Sequence, residues 1–126
     1  GNLPAFRCAS KTVEELAKES FDMQVNSAIA DSLGLCIFGR SVTNTQRGLI
    51  AEAINNAHGT QVDEDYVWQI GIETLKMENE FNKDAGFTED DDELPAFFHE
   101  ETLPPTNRKA RLIAGGLNKY INDLIG

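Results

Sequence analysis

Helical spacing of apolar residues is the feature that most constrains this chain. In several segments they recur about every three to four positions, and glycine or proline separates one segment from the next. Neither a βαβ alternation of elements nor an internal repeat is present. The 126 residues fit one domain, and 40% hydrophobic residues suffice for one core. We therefore predict an all-α fold in which residues 1–126 form a single compact domain of about four to six helices.

The first predicted helix begins after Thr12, because Thr12 and Glu15 form a capping-box pattern. We expect it to reach about Ala30, with a break near Asp22. Its apolar face comprises Leu16, Ala17, Phe21, Val25, Ala28 and Ile29.

Residues 31–39 form an apolar segment that fits neither the helical nor the strand period. Gly34 and Gly39 allow backbone conformations and close approaches that other residues do not. We predict a short, irregular and buried junction between two helices here. A short buried strand is the alternative.

Two more helices are expected in the middle of the chain. One begins at about Asn44 or Thr45 and ends at Gly59, and the next begins near Asp63, after a Val62–Val67 hydrophobic staple. Gly86 ends the latter helix. The predicted inner face of the first of these helices comprises Leu49, Ile50, Ala53, Ile54 and Ala57. That of the second comprises Tyr66, Ile70, Met77 and Phe81, and Trp68 and Leu75 widen it.

The last third of the chain contains a turn, a connector and a helix. We expect Thr88 to cap a short acidic turn, and the adjacent prolines at 104–105 to impose an extended connector. The final helix is predicted from about Thr106, with its middle weakened by the glycines at 115–116.

Acidic residues dominate the charge: 21 Asp and Glu against 11 Lys and Arg leave a formal net charge of -10. Such a surface repels phosphate backbones and anionic lipids, so we expect neither a nucleic-acid partner nor membrane binding. No apolar run is long enough to span a bilayer, and no signal-peptide pattern occurs. With only two cysteines, the chain is expected to be cytoplasmic.

Common catalytic and metal-binding motifs are absent from the sequence. Residues 89–93 are all acidic but lack the alternating ligands and central glycine of a calcium loop, so a solvated turn fits better. His58 precedes a helix-ending glycine, and His99 lacks the second histidine of a zinc hydrolase. On composition alone, Cys36 is most simply a buried core thiol. A non-catalytic helical interaction module is therefore one interpretation.

Two motifs favour a more specific interpretation of the sequence. Residues 31–36 read D-S-L-G-L-C, and residues 81–88 read F-N-K-D-A-G-F-T, followed by D-D-E-L-P at 91–95. In this order, and with two helices between them, they resemble the D-x-x-G-L-C and F-N-x-x-x-G-F-T motifs of the tungsten-containing aldehyde ferredoxin oxidoreductases. The resemblance extends from about residue 27 to residue 104, in the C-terminal helical part of that family.

The resemblance implies a site as well as a fold. Members of the family bind a tungsten or molybdenum bis-pterin cofactor beside a [4Fe-4S] cluster and oxidise aldehydes to carboxylic acids, with ferredoxin as electron acceptor. It implies that Cys36 is the fourth ligand of the cluster. It also implies that Asp31 hydrogen-bonds a pterin and that Leu35 lies next to it. The residue types suit these roles, because thiolates hold such clusters and carboxylates accept from ring N–H groups.

Other parts of the family pattern are missing. The C-x-x-C-x-x-x-C run that supplies the other three ligands does not occur, and Cys8 cannot replace it. We therefore expect a fragment, a separate subunit or a relative that has lost activity, and in each case a chain that is inactive and free of cofactors when isolated. Its expected partners are the missing N-terminal and central domains, or a large subunit, and ferredoxin through the complete enzyme. Without them, the apolar residues Leu33, Leu35, Ile37 and Phe38 could drive self-association.

Overall fold

The computed structural model describes residues 11–111 and 113–125, and within these ranges the chain is helical and forms no strand. The predicted all-α class is confirmed. No helix among these residues has the length and apolar character needed to cross a bilayer. The α-helices are α1 (Val13–Ser32), α2 (Arg40–Thr43), α3 (Arg47–His58), α4 (Glu64–Asp84), α5 (Phe97–Glu100) and α6 (Ala114–Ile125), and two short 3-10 helices span Ile37–Gly39 and Glu89–Asp92.

Helix α1 begins with the predicted capping box. The Thr12 hydroxyl accepts from the Glu15 N–H at 3.2 Å, and the Glu15 carboxylate accepts from the Thr12 N–H at 2.8 Å. The predicted break near Asp22 is wrong. Because Asp22 pairs with Lys18 one turn earlier at 2.8 Å, its side chain stays on the surface of a continuous helix.

The core forms where α1 crosses α4, and Gly71 lies at this crossing. A Cβ atom on Gly71 would lie 2.6 Å from the carbonyl oxygen of Val25 and 2.9 Å from the side chain of Ile29. The two backbones can approach this closely only because Gly71 has no side chain. The buried core cluster comprises Phe21, Val25, Ile29, Ala51, Val67 and Ile72.

The connection between α3 and α4 follows the prediction. Gly59 ends α3 in the left-handed conformation with φ of 66°. The Asn55 side chain then holds both the N–H and the carbonyl group of Val62 at 2.8 Å. Asp63 caps α4 by accepting from the Tyr66 N–H at 3.0 Å. Val62 packs against the core cluster, as a hydrophobic staple requires.

The predicted inner face of α3 is only partly correct. Ile50 and Ile54 pack against the core cluster as expected. Ala51 is the buried alanine, however, whereas Leu49 and Ala53 are exposed. A helix that packs mainly against α4 buries a narrow stripe, and the remaining apolar positions face outward.

The second half of α4 differs from the prediction for a related reason. Met77 and Phe81, expected on the inner face, are 62% and 72% exposed. Helix α1 ends at Ser32, whose hydroxyl lies 3.0 Å from that of Thr74. Met77 and Phe81 follow this contact in α4 and lie outside the core cluster. Tyr66, in the first turn, is also half exposed.

The extended connector and the early start of the last helix are both wrong. Residues 104–107 form a turn, and the Leu103 N–H donates to the Arg108 carbonyl at 3.0 Å across it. This turn includes Thr106, so α6 begins only at Ala114. The adjacent glycines consequently fall in the first turn of α6 rather than in its middle.

Candidate functional site

The D-S-L-G-L-C segment is the C-terminal end of α1. Leu33 is the C-cap, and Gly34 follows in the left-handed conformation with φ of 64°. The Gly34 N–H donates to the Asp31 carbonyl at 3.2 Å, and the Leu35 N–H donates to the Ala30 carbonyl at 2.7 Å. These two hydrogen bonds define a Schellman motif. The glycine of the segment thus has a backbone role: it ends the helix and sets the direction in which the chain leaves.

The second segment ends α4 in the same way. Gly86 has φ of 91°, and its N–H donates to the Lys83 carbonyl at 3.0 Å. The Phe87 N–H donates to the Asn82 carbonyl, also at 3.0 Å. Both motifs singled out in the sequence are therefore Schellman helix ends, each followed by residues held in a defined direction.

The backbone role of Gly34 can be tested by substitution. No atom lies within 4 Å of a Cβ built on Gly34, so Gly34→Ala meets no clash and is opposed only by its positive φ. We expect it to lower the free energy of unfolding by about 1 kcal/mol. Gly39→Ala is the matched control, because Gly39 has equal space but φ of -85°. Urea denaturation should show no loss for the control, and equal losses in the two variants would contradict the assignment.

Cys36 follows the Schellman motif directly and is exposed as a free thiol. The prediction of a buried junction is therefore wrong: Ile37 is 67% exposed and Phe38 is 94% exposed. No strand forms there either, because Ile37–Gly39 is a 3-10 turn. The helix end directs the chain away from the core, and none of the described residues covers the turn. Cys36 is thus not a core thiol.

Asp31 lies in the last turn of α1 and is exposed, while Leu35 is half-buried. A carboxylate in the last turn is disfavoured by the helix dipole, and that turn contains no basic residue to compensate. Within the described part of the chain, the Asp31 carboxylate has no hydrogen-bond partner. The structure therefore places Asp31, Leu35 and Cys36 together at one helix end. Their side chains offer a hydrogen-bond acceptor, an apolar contact and a thiol ligand.

The described residues contain no group of three or more His, Cys, Asp or Glu side chains arranged to hold a metal ion. Cys36 alone could supply one ligand of a cluster that needs four. The residues at this helix end therefore fit one part of a cofactor site, whose other ligands would have to come from outside the described residues.

The acidic turn forms as predicted, and a capping box between Thr88 and Asp91 holds it. Asp91 accepts from the Thr88 N–H at 2.7 Å and from the Thr88 hydroxyl at 2.9 Å. These hydrogen bonds, that of the backbone first, lower the pKa of Asp91. His58 is exposed at the end of α3, and His99 lies 3.0 Å from Glu93.

The structure also contains a cleft that the sequence does not predict. The second half of α4, the acidic turn and α6 enclose a volume of about 730 Å³. Its lining combines apolar residues such as Leu75 and Leu117 with amides, among them Asn79, which donates to Asn122 at 2.8 Å. No local pattern reveals this cleft, because its walls come from segments that are far apart in the chain.

The phenylalanines are unusually exposed. Of the six that lie in the described residues, only Phe21 is buried. Phenylalanine is normally among the most buried residue types, and large exposed apolar surfaces mark contacts with other molecules. The exposed ones are Phe38, Phe81, Phe87, Phe97 and Phe98.

Comparison with known families gives one match. The family model described as aldehyde ferredoxin oxidoreductase, domains 2 & 3, matches residues 4–124. No curated protein and no solved structure matches the chain. The match includes both Schellman segments and extends on either side of the region in which the motifs indicated the resemblance.

Proposed function

Because the chain belongs to the aldehyde ferredoxin oxidoreductase family, we propose that it is the C-terminal, cofactor-covering part of an enzyme that oxidises aldehydes to carboxylic acids. In the complete enzyme, an aldehyde and water give the acid, two protons and two electrons. A pterin-bound metal and a [4Fe-4S] cluster would supply the redox chemistry and the route to ferredoxin, and Asp31 and Cys36 are the residues of this chain that would hold them. The observation that carries this proposal is the end of α1, where Asp31 and Cys36 are exposed on a segment that two backbone hydrogen bonds hold in place.

Each residue of this helix end has a defined role in the proposal. Cys36, as a thiolate, is the fourth ligand of the cluster. Asp31 accepts hydrogen bonds from N–H groups of a pterin ring, which would compensate its unfavourable position at the helix C-terminus. Leu35 lies between them and helps to exclude water. The tungsten or molybdenum bis-pterin group supplies the two-electron oxidation when it is bound.

The side chains are suited to these roles for physical reasons. An exposed thiol can reach an incoming cluster without unfolding the domain. The Schellman motif fixes the backbone on the N-terminal side of Cys36, so little conformational freedom is lost when the ligand binds. The isolated chain supplies only part of this site, and we propose that alone it neither holds the cofactors nor turns over aldehydes.

The exposed apolar residues support the proposal that other domains complete the enzyme. Ile37 and Phe38 adjoin Cys36, so a domain that brings the remaining cluster ligands would also cover them. Met77 and Phe81 on α4 provide further apolar surface. In the absence of that domain, the same surface would favour self-association of the chain.

The test is the substitution Cys36→Ala in the complete polypeptide or complex, purified without oxygen. We expect it to lose the iron and the electron paramagnetic resonance signal of the reduced [4Fe-4S] cluster, because a cluster with one thiolate removed is poorly held. Cys8→Ala is the matched control and should retain both. In the isolated 126-residue chain, where Cys36 is exposed, Cys36→Ala should change the free energy of unfolding by less than about 0.5 kcal/mol.

Two outcomes would contradict the proposal. One is a full cluster signal in the Cys36→Ala enzyme, which would remove the ligand assignment. The other is a complete wild-type protein that binds no iron at all. The latter result would favour a helical interaction module without catalytic activity.

A further inference from the structure

The N-terminus of α6 is held by a carboxylate from a distant part of the chain. Oε2 of Glu93 accepts from the Ala114 N–H at 2.7 Å, although the two residues are 21 positions apart. The other oxygen, Oε1, accepts from the Leu94 N–H at 3.0 Å and lies 3.0 Å from Nε2 of His99. Glu93 thus joins the acidic turn, α5 and α6 through one side chain.

A second carboxylate reinforces this contact. Oδ2 of Asp92 accepts from the side-chain amide of Asn118 at 2.9 Å, one turn further along α6. These contacts stabilise the first turn of α6, which is otherwise weak because Gly115 and Gly116 each cost about 1 kcal/mol in helix propensity relative to alanine. The first half of α6, residues 114–118, therefore depends on ionised groups.

The second half of α6 is held by different forces. Ile121 packs against the core cluster, and Asn122 accepts a hydrogen bond from Asn79 at 2.8 Å. Neither contact involves an ionisable group. The two halves should therefore respond differently to acid.

We propose that the first half of α6 is a pH-dependent strap over the cleft, which ionised Glu93 holds closed and which protonation of Glu93 releases while the second half stays docked. Release would open the cleft from the side of Ala114 and expose its apolar lining, including Leu75 and Leu117.

Other groups around the cleft modulate this contact. Lys83 of α4 is a positive group of the cleft lining, and His99 of α5, when protonated, favours ionised Glu93. The negative groups of the lining oppose the ionisation of Glu93. Helix α1 contributes one residue to the lining, the neutral Gln24. The negative groups are Glu78 of α4 and Glu89, Asp91 and Asp92 of the turn; the titratable residues in the described part of α6 are Lys119, Tyr120 and Asp123.

The direction of the pH effect follows from the hydrogen bonds. The bond from the Ala114 N–H, more than that from His99, lowers the pKa of Glu93 below its ordinary value of 4.5. A carboxyl group whose pKa is lower in the folded state stabilises that state above its unfolded pKa. The stabilisation is lost as the pH falls through the folded pKa. The strap is therefore closed at neutral pH and opens in acid.

Amide hydrogen exchange of the 126-residue chain tests the strap. At neutral pH, Glu93→Gln should lower the protection factors of residues 114–118 about tenfold and leave those of residues 121–123 unchanged. The amide of glutamine has a single acceptor oxygen, so it cannot accept from both the Ala114 N–H and the Leu94 N–H as the two carboxylate oxygens of Glu93 do. Asp90→Asn is the matched control: it removes one charge from the same turn, and no described residue hydrogen-bonds to the Asp90 side chain.

The wild-type chain provides a second measurement that does not depend on a variant. Between about pH 7 and pH 3, its protection corrected for intrinsic exchange should fall at residues 114–118 while the amides of Val25 and Ile29 stay protected. Unchanged protection in acid would overturn the proposal. So would parallel losses in both halves of α6, or an Asp90→Asn variant that loses as much protection as Glu93→Gln.

Discussion

Gly71→Ala is expected to lower the free energy of unfolding by about 3 kcal/mol, in spite of the better helix propensity of alanine. A Cβ at this position would lie 2.6 Å from the Val25 carbonyl oxygen, 2.7 Å from the Val25 side chain and 2.9 Å from that of Ile29. The carbonyl belongs to the backbone of α1 and cannot rotate away. The two helices must therefore separate, and the contacts that form most of the core are weakened.

Thermal and urea unfolding, followed by circular dichroism, would measure this loss. A change of this size should lower Tm by about 10 °C in a domain of this length. Gly48→Ala is the control, because Gly48 is also helical and the nearest atom to its added Cβ would be Glu64 Oε2 at 3.9 Å. The control should be neutral or more stable by up to about 1 kcal/mol. Equal stability of wild type and Gly71→Ala would mean that α1 and α4 do not cross at this point.

Ile29→Ala is expected to cost about 3 to 4 kcal/mol. Ile29 is completely buried beside Gly71, and its truncation removes apolar contacts and leaves a cavity in a small core. Among the residues that the structure describes, only Val25 and Val67 are buried to the same extent, so little can move in to fill the space.

Met23→Ala in the same helix is the control, since Met23 is 69% exposed, and it should change stability by no more than about 0.5 kcal/mol. The double variant Ile29→Ala/Gly71→Ala adds a further check. Its destabilisation should be about 1 kcal/mol smaller than the sum of the single losses, because removing the isoleucine side chain relieves part of the clash. Strict additivity would contradict the contact between the two positions.

The resemblance to the family selected Asp31, Leu35 and Cys36, and the structure adds a reason for the spacing between them. The glycine at position 34 ends α1 in a Schellman motif, which fixes the path of the chain between the carboxylate and the thiol. Burial does not follow from the sequence in the same way. Apolar character at residues 37–38 suggested a core position, but hydropathy cannot distinguish a residue covered by its own domain from one that another molecule would cover.

The sequence by itself determined the helical class and most helix ends, including the capping box of Thr12 and the stops at Gly59 and Gly86. These features depend on hydrogen bonds between residues at most a few positions apart, so local residue types decide them. Only the tertiary structure decided the helix crossing at Gly71 and the capping of α6 by Glu93. Both join segments that are distant in the chain, and the relevant residue types, a glycine and a glutamate, are common enough to carry no signal until the packing brings their partners beside them.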